Sequence, residues 1–137
     1  MLRLAPCSAG NPAFRSALIA AGLPVDDLGE TDASYFSASG AFGGFVGVGP
    51  DRLLRSVVVP EVGRGSGIGS QIVGMIAERA RDERAERLWL LTTDAAPFFE
   101  RLGWEAVDRS TAPDTIKATP QFAGICPASA TLMVRHL

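Results

Sequence analysis

The sequence predicts an α/β or α+β fold around a mixed sheet, and three observations carry that reading. "LLRSVVV" (Leu53 to Val59) is a nearly unbroken apolar run, β-branched toward its end, as suits a central strand covered on both faces. It leads through a glycine-rich turn into an amphipathic helix and then into a second apolar strand, "RLWLLTT". With 47% hydrophobic and 20% charged residues, the 137-residue chain is long enough for one domain, 1–137, with a real core.

The remaining elements are taken in chain order. "MLRLAP" reads as a short strand. Asn11-Pro12 is a helix start, a capping side chain followed by proline at the first helical position. The helix carries Phe14, Leu18 and Ala21 at helical spacing and closes at Gly22. "LPVDDLGETDA" is polar and turn-rich. "SYFSASGAFGGFVGVG" reads as a strand pair turning at Gly40 or at Gly43-Gly44. After the central strand and its turn, Ile68, Ile72, Ile76 and Ala80 lie four apart on one helix face, and Glu78, Arg79, Arg81 and Asp82 cluster late. "DAAPFFERLG" reads as a short helix with Asp94 as N-cap and Gly103 closing it. "WEAVDR" is a strand, "APDTIKATPQF" holds a short helix, and "SATLMVRHL" is the closing strand. The order is thus β-α-β-β-β-(glycine turn)-α-β-α-β-β.

Composition removes several function classes. A net charge of -2 gives no electrostatic reason to expect nucleic acid or an anionic membrane as partner. Cys7 and Cys126 are far apart, and His136 is the sole histidine. They supply no ligand set for a metal, so no metal is expected. A histidine-dependent nucleophile would have to use His136, with no third group in sight to orient it. No apolar run reaches membrane-spanning length, and "MLRLAPCSAG" lacks the core of a signal peptide, so the expected location is cytoplasmic.

The chemistry concentrates in "VVVPEVGRGSGIGSQIV", Val57 to Val73. A helix N-terminus directs free amides outward, and glycine lets an anion approach them closely. The P-loop pattern needs a lysine that is absent here, and the dinucleotide pattern GxGxxG fails in every frame. The pattern [RQ]xxGx[GA] fits at Arg64, Gly67 and Gly69, while Gly63 reads as a turn residue.

That pattern resembles the pyrophosphate loop of the GNAT acyltransferase superfamily. A second stretch, "AAPFFERLGW", is similar to the aromatic helix that comes next in the same family. The resemblance implies a GNAT fold, a mixed and mostly antiparallel central sheet of about six to seven strands flanked by helices. It implies acetyl-CoA as co-substrate and a small-molecule amine as acceptor, attacked directly with no covalent enzyme species. Val57, Val58 and Val59 would pair with the pantetheine arm. Arg64, Gly65, Ser66, Gly67, Ile68, Gly69 and Ser70 would hold the pyrophosphate. Many members place a tyrosine near the thioester sulfur to protonate the thiolate, whereas this chain has Phe99. The catalytic groups are therefore unassigned, with Glu61 and Asp94 candidate bases only by location. Phe99 also admits a catalytically silent acyl-CoA-binding sensor or interaction module. Association as a homodimer through a sheet edge or the C-terminal strand fits the family.

From Leu53 onward the chain further resembles the arsenic-resistance-associated N-acetyltransferase branch, through "LLTTDAAPFFERLGW" and "TPQFAGICPASATLM". Related members act on glutamate-like amines, including organoarsenical and phosphinate analogues. Under that reading Arg55 clamps a substrate carboxylate, or else pairs structurally with an acid near the sheet end. Thr92 and Thr93 either bind substrate or satisfy backbone. Cys126 either lines the substrate pocket or is buried structure.

Overall fold

The computed structural model describes residues 3–59 and 67–137. The strands are β1 (Ala5–Cys7), β2 (Ala33–Ala38), β3 (Ala41–Val46), β4 (Asp51–Val58), β5 (Arg87–Thr92), β6 (Glu105–Val107) and β7 (Thr131–His136). The helices are α1 (Pro12–Ala20), α2 (Ile68–Asp82), α3 (Ala96–Arg101) and α4 (Asp114–Lys117). The strands form one seven-stranded sheet in the order β1-β2-β3-β4-β5-β7-β6. Every neighbouring pair is antiparallel except β4 and β5.

Alternation along the strands sorts the core onto two faces. Phe36, Leu54, Leu88, Leu90 and Met133 pack with Ile72, Ile76 and Phe99, on the side of α2 and α3. Their chain neighbours Leu53, Trp89, Leu132 and Val134 pack with Ile116 of α4. Tyr35, Phe42 and Val58 pack with Phe14 and Leu18 of α1. Both faces of β4 are therefore covered, as its apolar run predicts.

The cap at Asn11 forms as read, its side chain accepting the Phe14 amide at 3.1 Å. The hairpin turn falls at Gly40, beside Ser39, and both have positive φ (82° and 48°). Gly43 and Gly44 instead lie inside β3, paired with Phe36 and Tyr35. Asp94 does not cap α3. Ala95 holds that position, and Thr92 Oγ1 takes its amide at 3.0 Å.

Both edges of β4 are irregular. On one edge its pairing with β5 stops at Leu53 opposite Trp89, although β4 runs on to Val58 and β5 to Thr92. Beyond that point the two parallel strands part. Asp51 pins the closed end, accepting from Arg87 Nε at 2.6 Å and Trp89 Nε1 at 2.9 Å. On the other edge, Arg55 pairs with Gly44 but Val58 pairs with Phe42, so Ser56 and Val57 together oppose Gly43. This is a β-bulge, with Ser56 at φ 59°. A Cβ on Gly43 would lie 2.8 Å from Ile76 Cδ1 and 3.2 Å from Val57 Cγ2, so a larger residue here would press on the side chains where the bulge packs onto α2.

Candidate active site

The parted strands enclose a cleft of about 480 Å3. One wall is β4 from Leu54 to Val57, and the other is the end of β5 with Thr92, Thr93, Asp94 and Ala95. Phe99 also lines it, held edge-on to Phe98 (5.0 Å between ring centres) and Trp104 (5.6 Å).

Gly67 caps α2 in the left-handed region, φ 82°, with no side-chain cap. The first helical bond runs from the Gln71 amide to the Gly67 carbonyl, 3.1 Å. Helix geometry leaves the amides of Ile68, Gly69 and Ser70 without intrahelical acceptors. The first turn carries no acidic residue, so no internal carboxylate competes for the positive end of the helix dipole. Ser70 Oγ donates to the Gly67 carbonyl at 3.0 Å. A Cβ on Gly69 would stand 3.4 Å from both Phe98 Cζ and Val59 Cγ2. The glycine turn and the aromatic helix, the two stretches that stand out in the sequence, thus meet at this residue.

Val57 and Val58 lie in β4, and Val59 directly follows it. Arg64, Gly65, Ser66 and Glu61 lie outside the described residues. Thr92 and Thr93 are at the cleft, and Thr92 satisfies backbone by taking the Ala95 amide. Asp94 is exposed on the cleft wall. Around Phe99, hydroxyls are offered by Ser56, Thr92 and Thr93.

Arg55 is buried and engaged. Its Nη2 donates to Asp27 Oδ1 at 2.8 Å, its Nη1 to the Asp27 carbonyl at 3.2 Å, and its Nε to Ser56 Oγ at 2.9 Å. Glu30 Oε1 stands 3.5 Å from Nη1. Gln121 joins the cluster, its amide nitrogen donating to Asp27 at 2.5 Å and to Glu30 at 3.2 Å. Burial pushes the Asp27 carboxyl up, but the hydrogen bond and charge of Arg55 and the Gln121 bond outweigh it and hold the carboxyl below its ordinary value. Burial, and then the charge of Asp27, raises the Cys126 thiol, which stays protonated at neutral pH. Sequence reasoning missed Asp27, Glu30 and Gln121. The acids in "LPVDDLGETDA" are a signal only in retrospect, since nothing local ties them to Arg55.

The family model for the acetyltransferase (GNAT) domain matches residues 31–106, which span the hairpin, the parted strands, α2 and α3. The chain belongs to the GNAT acetyltransferase family.

Solved structures share this GNAT fold. N-acetylglutamate synthase from Neisseria gonorrhoeae, complexed with coenzyme A and L-arginine, superposes with a TM-score of 0.76 at 15% identity, over 99% of this chain and 33% of its own. The chain thus spans about a third of that synthase. A GNAT family acetyltransferase from Elizabethkingia anophelis with acetyl-CoA bound gives 0.71 at 16% identity, over 99% of this chain and 98% of its own. A GNAT acetyltransferase from Staphylococcus aureus Mu50 gives 0.73 at 14% identity, over 100% and 99%. No curated protein matches the chain in sequence. Among the described residues no three His, Cys, Asp or Glu side chains gather as a metal site, and no helix is long and apolar enough to cross a membrane.

Proposed function

We propose that this chain transfers an acetyl group from acetyl-CoA to the primary amine of a small molecule. The observation that carries this reading is the parting of β4 from β5 beyond Leu53, with the glycine-capped start of α2 one short connection past the end of β4. A strand edge that has left its neighbour suits an extended arm, and amides at a helix start suit a pyrophosphate. Arg64, Gly65 and Ser66 join Gly67, Ile68, Gly69 and Ser70 in this role by their place in the motif.

Bound acetyl-CoA would supply the thioester carbonyl that the amine attacks. The chain's part is to line up the two reactants and to polarise that carbonyl with a β4 backbone amide at the Val57–Val59 end. Phe99 forms a dry wall and gives no proton. Ser56 and Thr92 carry hydroxyls that each accept one hydrogen bond and keep a proton to donate, so they are the cleft's substitutes for a tyrosine. No base is assigned to the amine. The sequence resemblance favours an amino-acid analogue, such as an organoarsenical or phosphinate compound, as acceptor. The ion pair of Arg55 with Asp27 argues for an amine without a carboxylate. We propose a cytoplasmic enzyme, with homodimerisation through a sheet edge as its assembly.

Thermal-shift titration tests the donor. Acetyl-CoA should raise Tm, because a ligand bound only by the folded state must stabilise it. No shift at millimolar ligand refutes the assignment. A shift without thiol release across a broad amine panel would make the protein the silent acyl-CoA sensor that Phe99 also allows.

A further inference from the structure

A second cavity, about 80 Å3, continues the cleft and shares Leu23, Leu54, Arg55, Ser56 and Leu91 with it. Its own lining adds Pro24, Leu53, Gln121 and Cys126. It adjoins the place where acetyl transfer would occur, so it is where the far end of an acceptor would lie.

The cavity's polar wall is specific about what it can bind. Among the described residues Arg55 is the only cation in the lining, and its side chain is 5% exposed. Asp27 already takes two of its hydrogen bonds and Ser56 a third. Arg109, whose charge reaches Cys126, lies outside the lining and is spent on the carbonyls of Ala130 and Phe122. Gln121, 4% exposed, gives its amide hydrogens to Asp27 and Glu30. One buried acceptor of the lining, Gln121 Oε1, makes no hydrogen bond among the described residues; Glu30 Oε1 also lacks one but is ion-paired with Arg55 Nη1 at 3.5 Å and lies outside the lining. The single guanidinium of the lining is already matched by two carboxylates, Asp27 at 2.8 Å and Glu30 at 3.5 Å. A further carboxylate therefore finds no uncommitted cation and only the neutral Ser56 hydroxyl and leftover Arg55 N–H to meet it, whereas an N–H or O–H can be received by Gln121 Oε1. The leucines favour an apolar chain.

We propose that this cavity holds the non-reacting end of the acceptor and selects primary amines that carry no carboxylate, with a short apolar or hydrogen-bond-donating tail. The proposal rests on the transferase reading for its location. Arg55 then positions Ser56 and the wall through Asp27 and does not clamp the substrate. A carboxylate entering this site would lose its hydration without gaining a cation of its own, or would have to displace Asp27 and strand that group instead.

The test uses amines and their carboxylated twins: isobutylamine with valine, 3-methylbutylamine with leucine, ethanolamine with serine. Binding to the whole chain in the presence of CoA is followed by calorimetry, and acetylation by thiol release with acetyl-CoA. We expect each carboxyl-free amine to bind at least about tenfold more tightly than its twin. Equal or tighter binding of the twins overturns the proposal, as does absence of binding by all six compounds. Preferential binding without acetylation would sink the transferase reading and leave the cavity's selectivity standing. In Asp27→Asn, where Arg55 is partly released, the preference should shrink. An unchanged preference in a folded Asp27→Asn protein counts against the role given to the ion pair, and the wild-type comparison decides the matter if that variant does not fold.

Discussion

The first turn of α2 offers a ligand backbone amides, whereas the Arg55 cluster offers side chains drawn from three distant segments. The helix start needs only Gly67 at positive φ and no acid in the first turn. The cluster needs Asp27, Arg55 and Gln121, with Gln121 and Asp27 94 residues apart. The difference teaches where each region is fragile. A backbone site fails when a side chain is added, and a side-chain site fails when one is removed.

The largest expected effect is on the cluster. Asp27→Ala leaves Arg55 buried without its main partner and should cost about 3–5 kcal/mol of stability, read from urea unfolding. A loss under about 1 kcal/mol would mean that the pair is not buried as described. Next comes the helix start. Gly67→Glu places a side chain at φ 82° and a negative charge among the amides, so acetyl-CoA affinity should fall about a hundredfold while circular dichroism stays native. Unaltered affinity refutes this placement of the phosphates.

A smaller change is expected at Phe99. Phe99→Tyr restores a hydroxyl to the cleft wall and should raise kcat about tenfold if thiolate protonation limits the rate. No gain would point to Ser56 or Thr92 as a sufficient donor. Ser70→Ala should be the mildest, within about threefold in affinity, since the amides do the binding and the hydroxyl only touches the Gly67 carbonyl. A larger loss would show that the helix start depends on side chains after all, and the contrast with the cluster would dissolve.

Acid sharpens the comparison further. Both Asp27 and Asp51 titrate below their ordinary value in the fold, the bonds from Arg55 and from Arg87 with Trp89 outweighing burial. Their stabilisation is complete well above the unfolded value of about 3.9 and is lost as pH falls through the lower folded values. Unfolding midpoints should therefore be flat above about pH 5 and drop below about pH 4, with a shallower drop in Asp51→Asn. An equally steep limb in that variant would remove Asp51 from the account.

Much of the fold was legible because burial leaves a local period. Ile72, Ile76 and Ala80 repeat at the helix spacing, and the run through Leu53 and Leu54 shows a strand buried on both faces. The Asp94 cap misled for an equally local reason. The helix begins one residue later than an Asp94 cap requires, with Ala95 in the cap position, and Thr92 at the strand end takes the Ala95 amide. Asp27 and Glu30 read only as part of a polar, turn-rich stretch because their partner is set by chain packing and not by spacing.

By itself the sequence determined the order of elements, the glycine helix start and the absence of a hydroxyl at residue 99. These are properties of one residue or one turn, and near-neighbour backbone physics settles them. Only the tertiary structure decided that β4 and β5 part after Leu53, that Ser56 bulges against Gly43, and that Arg55 belongs to Asp27 before any substrate. Each of those joins segments far apart in the chain, where packing and charge pairing in three dimensions choose the partner.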